Sequence, residues 1–131
     1  MYKVLTGSLE LRTAISGDIY AGDRPDDSQK EDITVNTLAI PYDKIQPAIS
    51  NVNIHVPDLR VKIGGTEQRK KDRERLRYLS GLAIRAIEAS SVPNLLLWVE
   101  EQHTLREPEI YQHYVNLRVV FNIHNVEQFN L

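Results

Sequence analysis

Two segments of the chain alternate apolar and polar residues strictly. In 51–57 (NVNIHVP), Val52, Ile54 and Val56 share one parity, while Asn51, Asn53 and His55 share the other. In 111–125 (YQHYVNLRVVFNIHN), Val115, Leu117, Val119, Phe121 and Ile123 oppose Tyr114, Asn116, Arg118, Asn122 and His124. Successive side chains of a strand point to opposite faces, so both segments predict strands of a sheet packed on one side only. The other side meets water or another subunit. Residues 95–105 (LLLWVEEQHTL) predict a further strand, more buried at its beginning. The turn Glu107-Pro108-Glu109 would join it to the last strand as an antiparallel hairpin.

Elsewhere the period changes. Leu76, Leu79, Ala83, Ala86 and Ile87 recur at three- and four-residue spacing and predict one long helix over 67–90. Thr66 would cap it, Glu67 suits its first turn, and Pro93 lies beyond its end. A short N-terminal helix follows from Ser8 as N-cap, Leu11 and Ile15 four apart, and Gly17 after the end. Ile19-Tyr20 reads as a short strand and 21–32 (AGDRPDDSQKED) as a polar loop. In 33–40 (ITVNTLAI) the apolar parity shifts after Thr37, which fits a bulge or a strand with one buried and one half-buried face. Residues 41–47 read as a connection, and 58–66 as a second loop with Gly64-Gly65 as its turn. The expected fold is α+β in two layers: a mainly antiparallel sheet of about four to five strands covered by the long helix and the short N-terminal one. A single domain, 1–131, is expected.

Composition narrows the function classes. The chain is 41% hydrophobic and 26% charged, and 131 residues suffice for a core without staples. A net charge of −2 offers no bulk attraction for nucleic acid or an anionic membrane. The absence of cysteine excludes disulfides, thiol nucleophiles and thiolate metal sites, and is compatible with a reducing cytoplasm. The longest apolar run, 95–99, is too short to cross a bilayer, and the N-terminus lacks an apolar targeting stretch. A soluble protein with no membrane contact is expected.

Candidate chemistry is sparse. The four histidines, His55, His103, His113 and His124, all fall in predicted strands, with no HExxH pair. They read as solvated or subunit-contact residues rather than as a metal site assembled across strands. Asp23, Asp26, Asp27, Glu31 and Asp32 cluster in one loop but lack the alternation of an EF-hand, so a solvated loop is the better reading. Gly64-Gly65 matches neither phosphate-binding glycine pattern. Glu100 and Glu101 should alternate faces and so cannot share a substrate. Arg69, Lys70, Lys71, Arg73, Arg75 and Arg77 place six cations in nine residues, with Glu67, Asp72 and Glu74 interleaved. That spacing suits an exposed helix face laced with opposite charges, or a subunit contact. A nucleic-acid contact through Arg69, Lys70, Lys71 and Arg73 is the alternative. No catalytic, cofactor or metal residue is assigned, and a non-enzymatic role is expected.

Four phrases carry a resemblance: ISGDIY (15–20), RPDDSQKEDITVN (24–36), NVNIHVPD (51–58) and HYVNLRV (113–119). With the order of elements, they resemble small bacteriophage or prophage proteins of the tail-completion and tail-terminator type, in versions like those of Bacteroidetes phages. In that family a sheet is flanked by helices and subunits join into a ring, often a hexamer, that caps the tail tube or joins it to the head. The resemblance implies a virion component assembled in the bacterial host cytoplasm, with tail-tube and head–tail connector proteins as partners. It implies neither a cofactor nor catalysis. A ring needs two different surfaces that fit one another, and long strands with exposed edges favour assembly. The expected subunit interface is the polar face of the last hairpin, at Trp98, Tyr114, Asn116, Arg118 and Val120. The loops 21–32 and 58–66 would order on assembly. The rival readings are a phage or mobile-element module binding nucleic acid through the basic run, and a metal-dependent hydrolase using the carboxylates and histidines.

Overall fold

The two alternating segments lie side by side at the centre of a five-stranded sheet. A computed structural model describes residues 1–39, 47–91 and 95–123. In chain order it contains α1 (Tyr2–Thr6), α2 (Leu9–Ala14), β1 (Ile19–Ala21), β2 (Ile33–Ala39), β3 (Pro47–Pro57), β4 (Leu59–Ile63), β5 (Thr66–Lys70), α3 (Arg73–Ala89), β6 (Leu95–Glu107) and β7 (Gln112–Ile123). The sheet runs β1-β2-β3-β7-β6, antiparallel except for the parallel pair β1–β2. The class is therefore α+β, with a mixed, mostly antiparallel sheet.

Register explains the core. Ile33, Ile54 and Val115 form one cross-strand row, and Val35, Val52 and Leu117 the next. These six side chains are at most 5% exposed and face the helices. Leu5, Leu11, Leu76, Leu79, Leu82, Ala83 and Ile87 cover them. Each such aliphatic side chain contributes about 1.5–3 kcal/mol on burial. The opposite parity places Thr34, Asn53 and Asn116 in a row on the other face, with Asn36, Asn51 and Arg118 beside it. The apolar face packs on the helices as the alternation predicts, but the other face is not bare: the chain's own loop covers part of it and buries Thr34, His55 and Gln112.

Several boundaries differ from expectation. Among the described residues the helical layer consists of three α-helices, and the longest begins at Arg73 rather than Glu67. Asp72, not Thr66, is its N-cap, accepting a hydrogen bond from the Arg75 backbone N–H at 3.2 Å. The segment 58–66, expected to be a loop, and the expected first helical turns instead form the β4–β5 hairpin. Gly64 and Gly65 make its turn with φ of +59° and +79°, a backbone region that glycine enters without strain. The alternation in LRVKI (59–63) followed by Gly-Gly was the signal for it. Ser8 caps α2 as expected, its hydroxyl accepting from the Leu11 N–H at 3.2 Å. The helix ends at Ala14 with Ile15 as its C-cap, two positions before the Gly17 expected just beyond its end, and a further short helix precedes it.

The parity shift in β2 is not a bulge, because its ladder with β3 runs unbroken from Ile33 to Ala39. A bulge occurs instead in β6, between Val99 and Glu101. It overturns the expected alternation of Glu100 and Glu101. Glu101 pairs with Arg118 across the ladder, and the Glu100 carboxylate lies 3.6 Å from the Arg118 guanidinium. Ile40 and most of the connection expected at 41–47, together with Pro93, His124 and the tail after Asn125, lie outside the described residues.

Candidate functional site

The loop 22–32 folds back over the polar face of the sheet, and the reason is one arginine. Arg24 is sequestered, with its side chain 8% exposed. Its guanidinium donates to Gln112 Oε1 at 2.6 Å and to Asp32 Oδ2 at 3.3 Å, and lies 3.6 Å from Glu107 Oε1. Gln112, fully buried at the start of β7, returns a hydrogen bond from Nε2 to the Ser28 carbonyl at 2.6 Å. The Ser28 hydroxyl donates to Asp32 Oδ2, and the Asp18 backbone N–H donates to Asp32 Oδ1 at 2.9 Å. Gly17 is required here, because a Cβ at that position would overlap the Asp32 carboxylate. Buried charges persist only when paired and hydrogen-bonded, and this set is.

His55 belongs to the same cluster. Its Nδ1 lies 2.8 Å from Glu107 Oε1, its Nε2 3.4 Å from the Thr34 hydroxyl, and its ring rests against Tyr114 with centroids 5.1 Å apart. Burial, then the charge of Arg24, hold its pKa below the usual histidine value, against the opposing pull of Glu107 and Asp32. In the neutral tautomer that fits, Nδ1–H donates to Glu107 and Nε2 accepts from Thr34. The hydroxyl–imidazole–carboxylate order matches that of nucleophilic relays. The surroundings do not serve that chemistry. Thr34 is 6% exposed in the interior of the sheet, and β2 is paired there on both sides, with Tyr20 and Asn53. That pairing commits the local backbone N–H groups to the ladder, leaving none to stabilise an oxyanion. The cluster acts as a clamp that fixes the loop.

The acidic loop thus divides. Asp32 is internal, and Glu31 forms a two-pronged pair with Arg75, with both N···O distances 2.7 Å. That pair holds the Arg75 pKa above its usual value, chiefly through the hydrogen bond to Glu31. Asp23, Asp26 and Asp27 remain exposed. Asp26 shares a hollow of about 330 Å³ with Glu107, Pro108, Glu109 and Ile110.

On the helix-bearing side of the same end is a cleft of about 780 Å³. Arg69, Lys70, Lys71, Arg73 and Arg106 line it, against Asp58 and Glu67. Asp58 accepts from His113 Nδ1 at 2.6 Å, and Glu67 lies 3.9 Å from Arg60. The Arg69 guanidinium stacks 4.6 Å over the Tyr111 ring, and Tyr111 is held at φ +54° by the turn between β6 and β7. None of the five cations forms a salt bridge among the described residues. The expected lacing of the basic run by helical neighbours fails, because residues 69–71 precede the helix and Arg75 is taken by Glu31. Arg106, absent from the expected set, reaches the cleft because the β6 bulge shifts its parity to the helix side.

The expected interface residues lie together on the polar face of β6 and β7. Trp98 is 40% exposed, whereas Val120, its ladder partner, is 7% exposed. Asn116 donates to Asn53 at 2.7 Å, Tyr114 rests on His55, and Arg118 faces Glu100. Among the described residues, no group of three or more His, Asp or Glu side chains has metal-holding geometry, and no helix is long and apolar enough to cross a membrane. Compared with protein-family models, the chain matches none, and comparison with curated protein sequences gives no match.

Proposed function

We propose that this chain is a ring-forming structural subunit of a phage or prophage tail, of the tail-terminator or head–tail joining type, acting by assembly and not by bond chemistry. The observation that carries this reading is β6. It is a thirteen-residue strand at the outer edge of the sheet, with Leu96, Trp98 and Leu105 each at least 40% exposed. An edge of that length, bearing large apolar groups, invites association unless a partner covers it. The other sheet edge, β1, has three residues, so the two sides of the subunit differ as a head-to-tail contact requires. A stable contact of this kind buries roughly 800 Å² on each partner.

Light scattering and electron microscopy of the purified chain, alone and with tail-tube protein, test the proposal. A discrete multimer or closed ring is expected. A monomer at every concentration, with no ring on the tube protein, would sink it. Trp98→Glu should weaken assembly about tenfold or more while leaving the melting temperature nearly unchanged.

The cleft favours a second reading, a module contacting nucleic acid through Arg69, Lys70, Lys71 and Arg73, since these converge with Arg106. It expects DNA binding that weakens steeply with salt.

A further inference from the structure

From the placement of charge at one end of the sheet, we propose that the basic cleft receives the acidic loop of a second copy of this chain. The contact would pair Asp23, Asp26 and Asp27 of one copy with Lys70, Lys71, Arg73 and Arg106 of the next. It rests on the ring reading and names one of its contacts.

Geometry is the first support. Cleft and loop occupy opposite faces of the same end, and Pro108 lines both the cleft and the hollow beside Asp26. A subunit cannot fold its own loop around that turn, because Arg24, Gln112 and Ser28 tie the loop to the far face. A copy stacked head to tail brings one acidic face against one basic face. Such a heterologous contact propagates and, with the right rotation, closes.

Charge is the second. Five cations meet two carboxylates in the cleft, and Asp58 is already engaged by His113. The loop offers three exposed carboxylates with Glu109 close to Asp26. Preorganisation is the third. The clamp beneath the loop fixes its backbone before any contact, which lowers the entropy lost on docking. A duplex fits less well. A phosphate backbone tracking along 69–73 would run beside Asp58 and Glu67 and past the acidic rim at Asp26 and Glu109. A compact acidic tip avoids that repulsion.

Charge swapping tests this. The cleft variant Lys70→Glu/Arg106→Glu and the loop variant Asp26→Arg/Asp27→Arg should each raise the concentration for half-assembly roughly tenfold or more. Mixed together, they should restore assembly as alternating copies, since the acidic loop of the cleft variant meets a native basic cleft and the basic loop of the loop variant meets an acidic one. Both pairs of changes in one chain should restore assembly. Circular dichroism and melting confirm that each variant folds, and Lys71→Glu with Asp23→Lys provides an independent pair. If wild type assembles and every variant assembles equally well, the ring reading stands and this contact is overturned. If wild type never assembles, both fall. If the cleft variant assembles normally but loses salt-sensitive binding of a fluorescent DNA duplex, nucleic acid is the occupant and the proposal is overturned.

Discussion

Two charged clusters sit at one end of the sheet, on opposite faces, and they obey opposite rules. Around Arg24 the charged and polar groups have internal partners: Asp32, Glu107, Gln112, Ser28 and His55 are joined to Arg24 or to one another. In the cleft, five cations crowd together without a salt bridge among the described residues, and Arg69 rests on an aromatic face. Satisfied charge is architecture, because desolvation would otherwise make it costly. Unsatisfied, solvated charge costs little in the isolated subunit and remains available to a partner. On the proposed reading the clamp belongs to folding and the cleft to assembly, although the residue types are the same.

The sharpest way to break that distinction is Arg24→Ala. It leaves the buried Asp32 carboxylate without its cation and Gln112 Oε1 without its donor, so unfolding free energy in denaturant should fall by about 3 kcal/mol or more. Arg24→Lys should rescue only part of the loss, because one ammonium cannot reproduce the fork that serves Asp32, Gln112 and Glu107. A loss below about 0.5 kcal/mol for the alanine variant would place the clamp among ordinary surface contacts.

Little of this division was legible in the chain. The alternation around Val52 and Leu117 gave the sheet's packed apolar face directly, because a period of two leaves few other solutions. The helix stripe from Leu76 to Ile87 was equally plain, but its start was not. Residues 67–71 are charged except for Gln68 and carry no apolar period, so only the alternation of LRVKI before Gly64-Gly65 marks the hairpin, and a polar loop competes with it. The clamp was hidden for a different reason. Arg24 and Gln112 are 88 positions apart, and nothing local distinguishes a buried arginine from a solvated one. The cleft was half visible: the run at 69–73 stood out, whereas Arg106 enters only through a bulge.

A smaller effect comes from His55. Its folded pKa lies below the unfolded value of about 6.5, so the unfolded chain takes up a proton first as pH falls. The stability that neutral His55 contributes is fully present above pH of about 6.5 and is lost as pH drops through the interval down to the folded value. Denaturant midpoints across this range should decline toward acid in the wild type and decline less in His55→Gln. An identical slope in both proteins would remove His55 from the clamp.

The smallest expected effect is on the other side of the comparison and gives it its meaning. Neutralising Lys70 and Arg106 to Gln removes two exposed cations that have no ionic partner among the described residues. Unfolding free energy should change by no more than about 0.5 kcal/mol, with a slight gain where crowded positive charge is relieved. A structural role for the cleft would predict a loss comparable to that of the clamp. A near-silent melt combined with weakened assembly separates the two, since a group that contributes nothing to the isolated fold yet changes association acts only through the partner.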